Sequence, residues 1–232
     1  MLFRSYLGGW RGKAGREAQP QIRSRPTGRV IVADGGAVSQ TALRVGTIGA
    51  SRSSPDLVPL RMLNFVLGEI YASRITTNLR EKHGYTYMAR SQFAFRREPG
   101  PFVIGTNVRT DVTAPALKEL FSELQRLRTE PVTDDDLRFA RSAFAGSLIG
   151  LFETTGKTAT STGQIFTYDL PLDYYQNLPQ QIAAVTPFDI LRVAQQYLDP
   201  QTIVVVAVGD RSKIESDLER LDLGSKSVDT KP

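Results

Sequence analysis

Apolar and polar positions along the chain follow two spacings, one typical of strands and one typical of helices. Five segments have the length and composition of strands and are bounded by turn-forming residues, namely residues 29–34, 39–48, 85–95, 102–108 and 202–208. Between most of them, apolar residues recur three and four positions apart, which is the helical spacing. Antiparallel hairpins with long helices between them predict an α+β fold and not a doubly wound sheet.

The predicted helices have recognisable ends. Residues 57–75 are apolar on more than one face and predict a buried helix that begins after Asp56. Residues 76–83 predict a short helical turn that ends at Gly84, since glycine tolerates the left-handed position after a helix. Further helices are predicted to begin at Asp111 or Thr113, after Thr133, near residues 157 and 172, at Thr186-Pro187 and near residue 212.

The composition excludes several classes of site. The chain has 232 residues, of which 41% are apolar and 23% charged, so a sizeable core is expected. Cysteine is absent, which excludes disulfides, thiolate metal sites and a cysteine nucleophile. A single histidine, His83, cannot build a multi-histidine zinc site. The longest clean apolar run, residues 203–208, is far shorter than the ~20 residues of a membrane helix.

The net charge of +5 is concentrated near the start of the chain. Residues 1–29 hold seven basic side chains and one acidic side chain, whereas the remaining 22 basic and 23 acidic groups leave a net charge near −1. A basic leader on a neutral body does not favour nucleic-acid binding. We expect residues 1–27 to be the end of a preceding domain plus a basic linker, residues 28–221 to be one domain, and residues 222–232 to be a mobile tail.

The segment GEIYASRITTNLREKHGYTYMARS at residues 68–91 joins a helix end, a turn and a predicted strand. Arg80 and Tyr87 stand seven residues apart on either side of its turn, so both can project toward one side. Strand alternation places Tyr85 and Tyr87 on the same face and does not choose between them. Taken alone, an arginine in the last turn of a helix is usually solvated, and a strand tyrosine is usually half-buried packing.

Four segments carry a wider pattern: GRVIVADGGAVSQTALRVG at 28–46, LNFVLGEIYASRITTNLREKHGYTYMARSQF at 63–93, PVTDDDLRFAR at 131–141, and YDLPLDYYQNLPQQIAAVTPFDILRVAQQYLDPQTIVVVAVGD at 168–210. Together they resemble the C-terminal half of pitrilysin-family zinc peptidases, which include mitochondrial processing peptidase and insulin-degrading enzyme. The resemblance covers nearly all of residues 28–215. It implies a LuxS/processing-peptidase-like metallohydrolase fold, an antiparallel sheet with helices packed on one face.

The resemblance also implies a division of labour within a zinc endopeptidase. In this family the N-terminal half carries HxxEH and a distant Glu, and this chain has no HxxEH. The C-terminal half supplies an Arg and a Tyr that meet the substrate, and the matching positions here are Arg80 and Tyr87. Glu69 departs from the pattern, which often has a second glycine there. We therefore expect no metal or cofactor in this chain and zinc in the partner half.

The remaining candidate residues favour structural interpretations. His83 is a lone turn histidine, for which we expect no ligand role. Arg74 is expected to pair with Glu69 or Glu81 along a helix. The run Asp134-Asp135-Asp136 looks like three carboxylates for a metal, but consecutive residues on a helix face different directions. We therefore expect this run to cap a helix.

The leading hypothesis is a substrate-binding, non-catalytic half of a zinc endopeptidase that is inactive alone. Its expected partners are a peptide, held as an added strand at a sheet edge, and an HxxEH-bearing half. That half is either a separate subunit or a preceding part of the same chain, which the connector-like start favours. The alternative is a catalytically inactive structural or assembly protein of the same fold, like the respiratory-complex core subunits. A homo-oligomer stays open, neither nucleic acid nor a membrane span is expected, and we expect a soluble protein of the bacterial cytoplasm or periplasm.

Overall fold

The structure, a computed structural model, describes residues 5, 6, 8, 9, 11, 27–221 and 227–229. The predicted linker at residues 1–27 lies outside this part of the chain except for those few positions. The predicted tail at residues 222–232 also lies outside it, except for three residues that form a strand. No helix in the described part is long and apolar enough to cross a membrane.

The described strands form one sheet of six, in the order β3-β4-β2-β5-β1-β6. Four neighbouring strands, from β3 through β5, pair antiparallel, while β1 pairs in parallel with both β5 and β6. The α+β fold class with a mostly antiparallel sheet is confirmed. The strands are β1 Arg29–Asp34, β2 Gln40–Ile48, β3 Ala89–Phe93, β4 Pro101–Arg109, β5 Val204–Gly209 and β6 Ser227–Asp229.

The first two strands do not form a hairpin with each other, because β5 lies between them. β1 pairs with β5 over its whole length, and β2 pairs with the other edge of β5. Gly35 donates its backbone N–H to the carbonyl of Gly209 at 2.7 Å, so the connection crosses the end of β5. β5 is apolar throughout (VVVAVG), and the central position gives both of its edges a partner.

Eight helices are described, and two of them continue as wider π-helical turns. α1 is followed by the π-helical segment Phe65–Glu69, and the short α2 is followed by the π-helical segment Thr77–Lys82. The helices are α1 Leu57–Asn64, α2 Arg74–Thr76, α3 Thr113–Thr129, α4 Asp134–Ile149, α5 Thr155–Thr167, α6 Tyr174–Ala184, α7 Pro187–Tyr197 and α8 Arg211–Glu219.

The single helix predicted over residues 57–75 is wrong, because the helix breaks at Ile70. Ile70 is extended, with φ −126° and ψ 166°. Just before it, Gly68 packs against β3 so closely that a Cβ would lie 2.8 Å from the backbone nitrogen of Ser91. Gly68 lies in the π-helical segment, whose hydrogen bonds span five residues and not the four of an α-helix. Since apolar residues cover more than one face of the segment, their spacing gives no signal of the break.

The core lies between one face of the sheet and the helices packed on it. Along β2 the side chains alternate, so that Leu43 and Val45 are buried while Arg44 faces outward. The buried face meets apolar residues of α1, α3 and α7, and the shared core contains Leu60, Leu63, Leu117, Leu120, Ile190 and Val193. The predicted packing of helices on one sheet face positions α2 and its turn at the edge near β3.

Candidate functional site

The π-helical segment Thr77–Lys82, which continues α2 and is called the α2 turn below, places Arg80 near the end of a helix, as predicted. The backbone N–H of Gly84 donates to the carbonyl of Arg80 at 3.0 Å, and that of Tyr85 donates to the carbonyl of Leu79 at 2.8 Å. Gly84 has φ +63°, the left-handed conformation that glycine adopts without the usual penalty. This geometry ends the helix and reverses the chain toward β3.

The residues just before Arg80 fix the α2 turn to the core and to α3. Leu79 is buried in the core. The side-chain amide of Asn78 donates to Glu119 at 3.1 Å and to Glu123 at 2.8 Å, both on α3. Because hydrogen bonds to charged acceptors are stronger than neutral ones, this pair of contacts holds the backbone from which Arg80 projects.

Tyr87 lies in a bend before β3, and not in the strand predicted over residues 85–95. The hydroxyl of Thr86 donates to the carbonyl of Asn107 at 2.6 Å and accepts the backbone N–H of Met88 at 3.2 Å. The guanidinium of Arg109 donates to the carbonyl of Gly84 at 3.1 Å. The prediction that Tyr85 and Tyr87 share one face of a strand therefore does not apply. Side-chain hydrogen bonds to β4 hold the residues before β3 in an irregular conformation.

The bend brings Tyr87 against Arg80. The guanidinium carbon of Arg80 lies 4.8 Å from the centroid of the Tyr87 ring and 4.5 Å from that of the Tyr71 ring, so it is stacked between them. Tyr85 stacks on His83, with ring centroids 4.9 Å apart. The structure thus distinguishes two tyrosines that periodicity cannot, and Tyr87 is the one in contact with Arg80.

The Arg80–Tyr87 pair is open to solvent on one side. The Tyr87 residue is 76% exposed, whereas the Arg80 side chain is 28% exposed. Nε of Arg80 lies 3.5 Å from Glu81, which also accepts the Tyr71 hydroxyl at 3.3 Å. Nη1 of Arg80 is buried and has no hydrogen-bond partner within the described residues. The two rings hold the cation in place, and the tyrosine hydroxyl remains at the surface.

Tyr71 is a residue of this site that the sequence did not indicate. It follows the break at Ile70 and reaches Arg80 across nine positions of chain. No regular spacing relates two residues on opposite sides of an irregular turn. Tyr71 is 54% exposed. Like Tyr87, it is an aromatic residue at the surface whose ring lies beside a cation.

Arg74 pairs with Asp136 on α4, at 2.6 Å, and the predicted pairing with Glu69 or Glu81 is wrong. That prediction assumed one continuous helix, whereas the break at Ile70 turns Arg74 toward α4. Glu69 instead accepts the side-chain amide of Asn64 at 2.8 Å. Arg74 therefore secures the start of α2 and takes no part in the exposed pair.

Asp136 caps α4, as predicted for the aspartate run. It forms a capping box with Thr133, whose hydroxyl accepts the backbone N–H of Asp136 at 3.1 Å. Burial alone would raise the pKa of Asp136, but the hydrogen bond and positive charge of Arg74, with hydrogen bonds from Thr133, lower it below its usual value. The carboxylate is thus committed to protein partners.

The described residues do not fit a zinc site. In residues 27–221, no three His, Cys, Asp or Glu side chains lie together as metal ligands would. His83 has a single carboxylate nearby, Glu119, with Nε2 and Oε2 3.7 Å apart. Catalytic zinc usually has three protein ligands, so no reaction step is assigned to a metal in this chain.

Comparison with known proteins places these features in context. The family described as the peptidase M16 inactive domain matches residues 1–144. A protein of Streptomyces coelicolor, named as an uncharacterized zinc protease, is 27% identical over 177 residues, which cover 75% of this chain and 38% of that protein. The chain thus spans well under half the length of this relative.

Two solved structures share the fold. The peptidase M16 inactive domain from Pseudomonas fluorescens superposes with a TM-score of 0.75 and 23% identity, covering 90% of this chain and 46% of that one. A protease from Helicobacter pylori superposes with a TM-score of 0.78 and 19% identity, covering 90% of this chain and 51% of that one. In both cases this chain corresponds to about half of the longer protein.

Proposed function

Because the chain belongs to the peptidase M16 inactive-domain family, we propose that it is the substrate-binding half of a zinc endopeptidase, with Arg80 and Tyr87 as the residues that hold the scissile peptide. The observation that carries the proposal is the stacking of Arg80 on the exposed ring of Tyr87 at 4.8 Å. The Tyr87 hydroxyl and the Arg80 guanidinium can both donate hydrogen bonds to a peptide carbonyl, and they lie together at one open face.

The chemistry of the pair suits a polarising role. The Tyr87 hydroxyl and the Arg80 guanidinium both donate hydrogen bonds, and arginine stays charged at any working pH. Donors already fixed near a carbonyl oxygen stabilise the negative charge that develops on it during hydrolysis. The rings of Tyr71 and Tyr87 and the anchored α2 turn supply that fixity. The bond-breaking chemistry itself belongs to zinc in the HxxEH-bearing half.

The proposal requires a second half. This chain has no HxxEH, and it spans 38% of its zinc-protease relative and about half of the two solved structures. We therefore expect residues 1–232 to have no peptidase activity alone and to support activity when combined with an HxxEH-bearing half or subunit.

The test is a reconstitution with paired variants. The purified chain is combined with an HxxEH-bearing half in the presence of zinc, and cleavage of a fluorogenic peptide is followed. Arg80→Ala and Tyr87→Phe should each lower turnover by ~10²–10³. Tyr87→Phe removes only the hydroxyl and keeps the ring over Arg80. The control Tyr85→Phe alters the neighbouring tyrosine and should leave turnover unchanged.

Three results would contradict the proposal. Unchanged turnover in both Arg80→Ala and Tyr87→Phe would reject the assigned roles. Stable association with the HxxEH-bearing half without any cleavage would favour the alternative, a catalytically inactive assembly protein. Zinc-dependent cleavage by the chain alone would also overturn the proposal.

A further inference from the structure

A second, larger cavity lies next to the Arg80–Tyr87 site. It encloses about 920 Å³ between β3 and β4 on one side and α1, α5 and α6 on the other. A smaller cavity of about 470 Å³, which Tyr87 lines, shares Met88 and Asn107 with it. An extended chain lying over the site can therefore continue into the larger cavity along the same edge of the sheet.

The larger cavity carries an excess of positive charge. Four arginines line it, Arg44, Arg52, Arg61 and Arg90, and Glu69 is the one acidic residue among its described lining. Glu69 already accepts the side-chain amide of Asn64 at 2.8 Å. A concave surface lined by one sign of charge concentrates ligands of the opposite sign.

Arg61 lines the cavity without a negatively charged partner among the described residues. Its guanidinium carbon lies 4.0 Å from the centroid of the Phe144 ring, and no described residue forms a hydrogen bond or an ion pair with it. Burial lowers the pKa of Arg61, although the charge of Glu69 opposes this effect. Arg61 is half-buried, and a partly desolvated cation is stabilised by pairing with a hydrogen-bonded anion, so a negative group in the cavity would give it a partner.

Two further donors at the cavity lack partners in the described part of the chain. Nε of Arg52 and the hydroxyl of Tyr174 are both buried without a hydrogen bond. Arg52 is held in place, since its Nη2 donates to Gln164 at 3.1 Å and its guanidinium lies 5.4 Å from the Tyr174 ring. Burial also raises the pKa of Tyr174, which keeps its hydroxyl protonated as a donor. Native structures rarely leave such groups unsatisfied.

We propose that this cavity binds a carboxylate of an acidic peptide segment, with Arg61, Arg52 and Tyr174 as its donors. A carboxylate accepts several hydrogen bonds at once and pairs well with guanidinium groups. That the carboxylate belongs to a peptide rests on the proposed function, because the cavity continues from the Arg80–Tyr87 site. The site then selects substrates that carry Asp or Glu at a distance from the scissile bond.

The test measures binding to the full chain alone, without the zinc-bearing half. A fluorescein-labelled peptide containing three Glu residues is compared, by fluorescence anisotropy at low salt, with the same peptide containing Gln. The Glu peptide should bind about tenfold more tightly or better, the range expected for hydrogen bonds to charged groups. Acetate and inorganic phosphate are added separately as competitors at millimolar concentration.

Variants assign the preference to the cavity. Arg61→Met keeps the length of the side chain over Phe144 and removes the charge, so it should abolish the preference for Glu over Gln. Tyr174→Phe should reduce that preference by severalfold. The matched control Arg138→Met removes an exposed arginine of α4 that does not line the cavity, and it should leave binding unchanged. Thermal unfolding of each variant shows whether it is folded.

The outcomes separate this proposal from the proposed function. Equal binding of the Glu and Gln peptides, or an unchanged preference in folded Arg61→Met, would overturn the cavity site. Displacement of the peptide by acetate or phosphate at concentrations near the peptide's own Kd would show a site for free anions and overturn the peptide ligand. Arg80→Ala should retain the preference for Glu, so failure of the catalytic role alone leaves this result intact.

Discussion

Two arginines on opposite sides of the break at Ile70 each lie over an aromatic ring, but their surroundings differ. Arg80 is stacked between Tyr71 and an exposed Tyr87, with Glu81 at 3.5 Å. Arg61 lies over the fully buried ring of Phe144, and burial lowers its pKa. Both arginines are half-buried, but Arg80 has a carboxylate neighbour and an exposed ring, whereas Arg61 has a buried ring and no ion-pair partner among the described residues.

The difference shows what each region is suited to do. At the end of α2, Glu81 lies 3.5 Å from Nε of Arg80 and partly compensates the charge of the guanidinium. In the cavity, the protein supplies aromatic contact to Arg61 but too little negative charge. A partly desolvated cation without a partner opposes folding, and a bound carboxylate would relieve that cost. Stability measurements can therefore separate the two regions.

The largest expected loss of stability comes from removing the ring beneath Arg61, and removal of the ring beside Arg80 is its comparison. Phe144→Ala should lower the free energy of unfolding by about 3–5 kcal/mol, because a fully buried ring is lost. Tyr87→Ala should lower it by less than about 0.5 kcal/mol, since that ring is mostly exposed. Urea unfolding followed by circular dichroism measures both values. Similar losses for the two variants would erase the distinction between the regions.

Replacing each of the two cations should affect the free energy of unfolding differently. Arg61→Met should raise the free energy of unfolding by about 1–2 kcal/mol, because a desolvated charge becomes an apolar side chain of similar length. Arg80→Met should leave it unchanged or slightly lower, since Arg80 has an exposed carboxylate neighbour. The same urea titration is the measurement, and a destabilised but folded Arg61→Met would mean that the Arg61 charge is already compensated.

The contact that holds the break between the two regions is the Arg74–Asp136 pair. Asp136→Ala should lower the free energy of unfolding by about 1–2 kcal/mol at pH 7, through loss of the cap and the ion pair. Because the folded pKa of Asp136 is lowered, its contribution is complete above the unfolded value of about 3.9 and is lost as the pH falls through the folded value.

The pH dependence supplies the control for that variant. The difference in stability between the native chain and Asp136→Ala should be constant from pH 7 to pH 5 and shrink below about pH 4. Asp189→Ala, which removes the analogous capping box at α7, provides a matched comparison without an Arg74 partner. A difference for Asp136→Ala that grows in acid would reject the assigned pKa direction.

A smaller loss of stability than for Phe144→Ala is expected at the turn that presents Arg80. Gly84→Ala should lower the free energy of unfolding by about 1 kcal/mol, because φ is +63° there while no atom lies within 4 Å of the added Cβ. Thermal unfolding detects a shift of this size. Gly163→Ala, in the exposed helix α5 and equally free of neighbours, should be neutral or stabilising.

Local features of the chain were predictable because they depend on residues close in sequence. The capping box of Thr133 and Asp136, the start of α7 at Thr186-Pro187 and the turn at Gly84 are all as predicted. Each involves hydrogen bonds or backbone preferences within a few positions. The family resemblance is confirmed as well, since its motifs are also sequence patterns.

Features that join distant residues were not predictable in the same way. The wrong partner for Arg74 follows from the unrecognised break at Ile70. The position of β1 beside β5 depends on a strand that comes about 170 residues later in the sequence. The cavity arginines gave no signal at all, because Arg52, Arg61 and Arg90 are separated by elements whose packing alone brings them together.

By itself, the sequence determined the fold class, the ends of most helices, the family and the two residues matched to its Arg and Tyr. The tertiary structure alone decided that Arg80 meets Tyr87 and Tyr71, and that Arg61 lies half-buried over Phe144 near donors without partners among the described residues. The reason is physical. Capping, turn formation and amphipathic spacing act over a few residues, whereas burial and the pairing of charges depend on which surfaces the folded chain brings into contact.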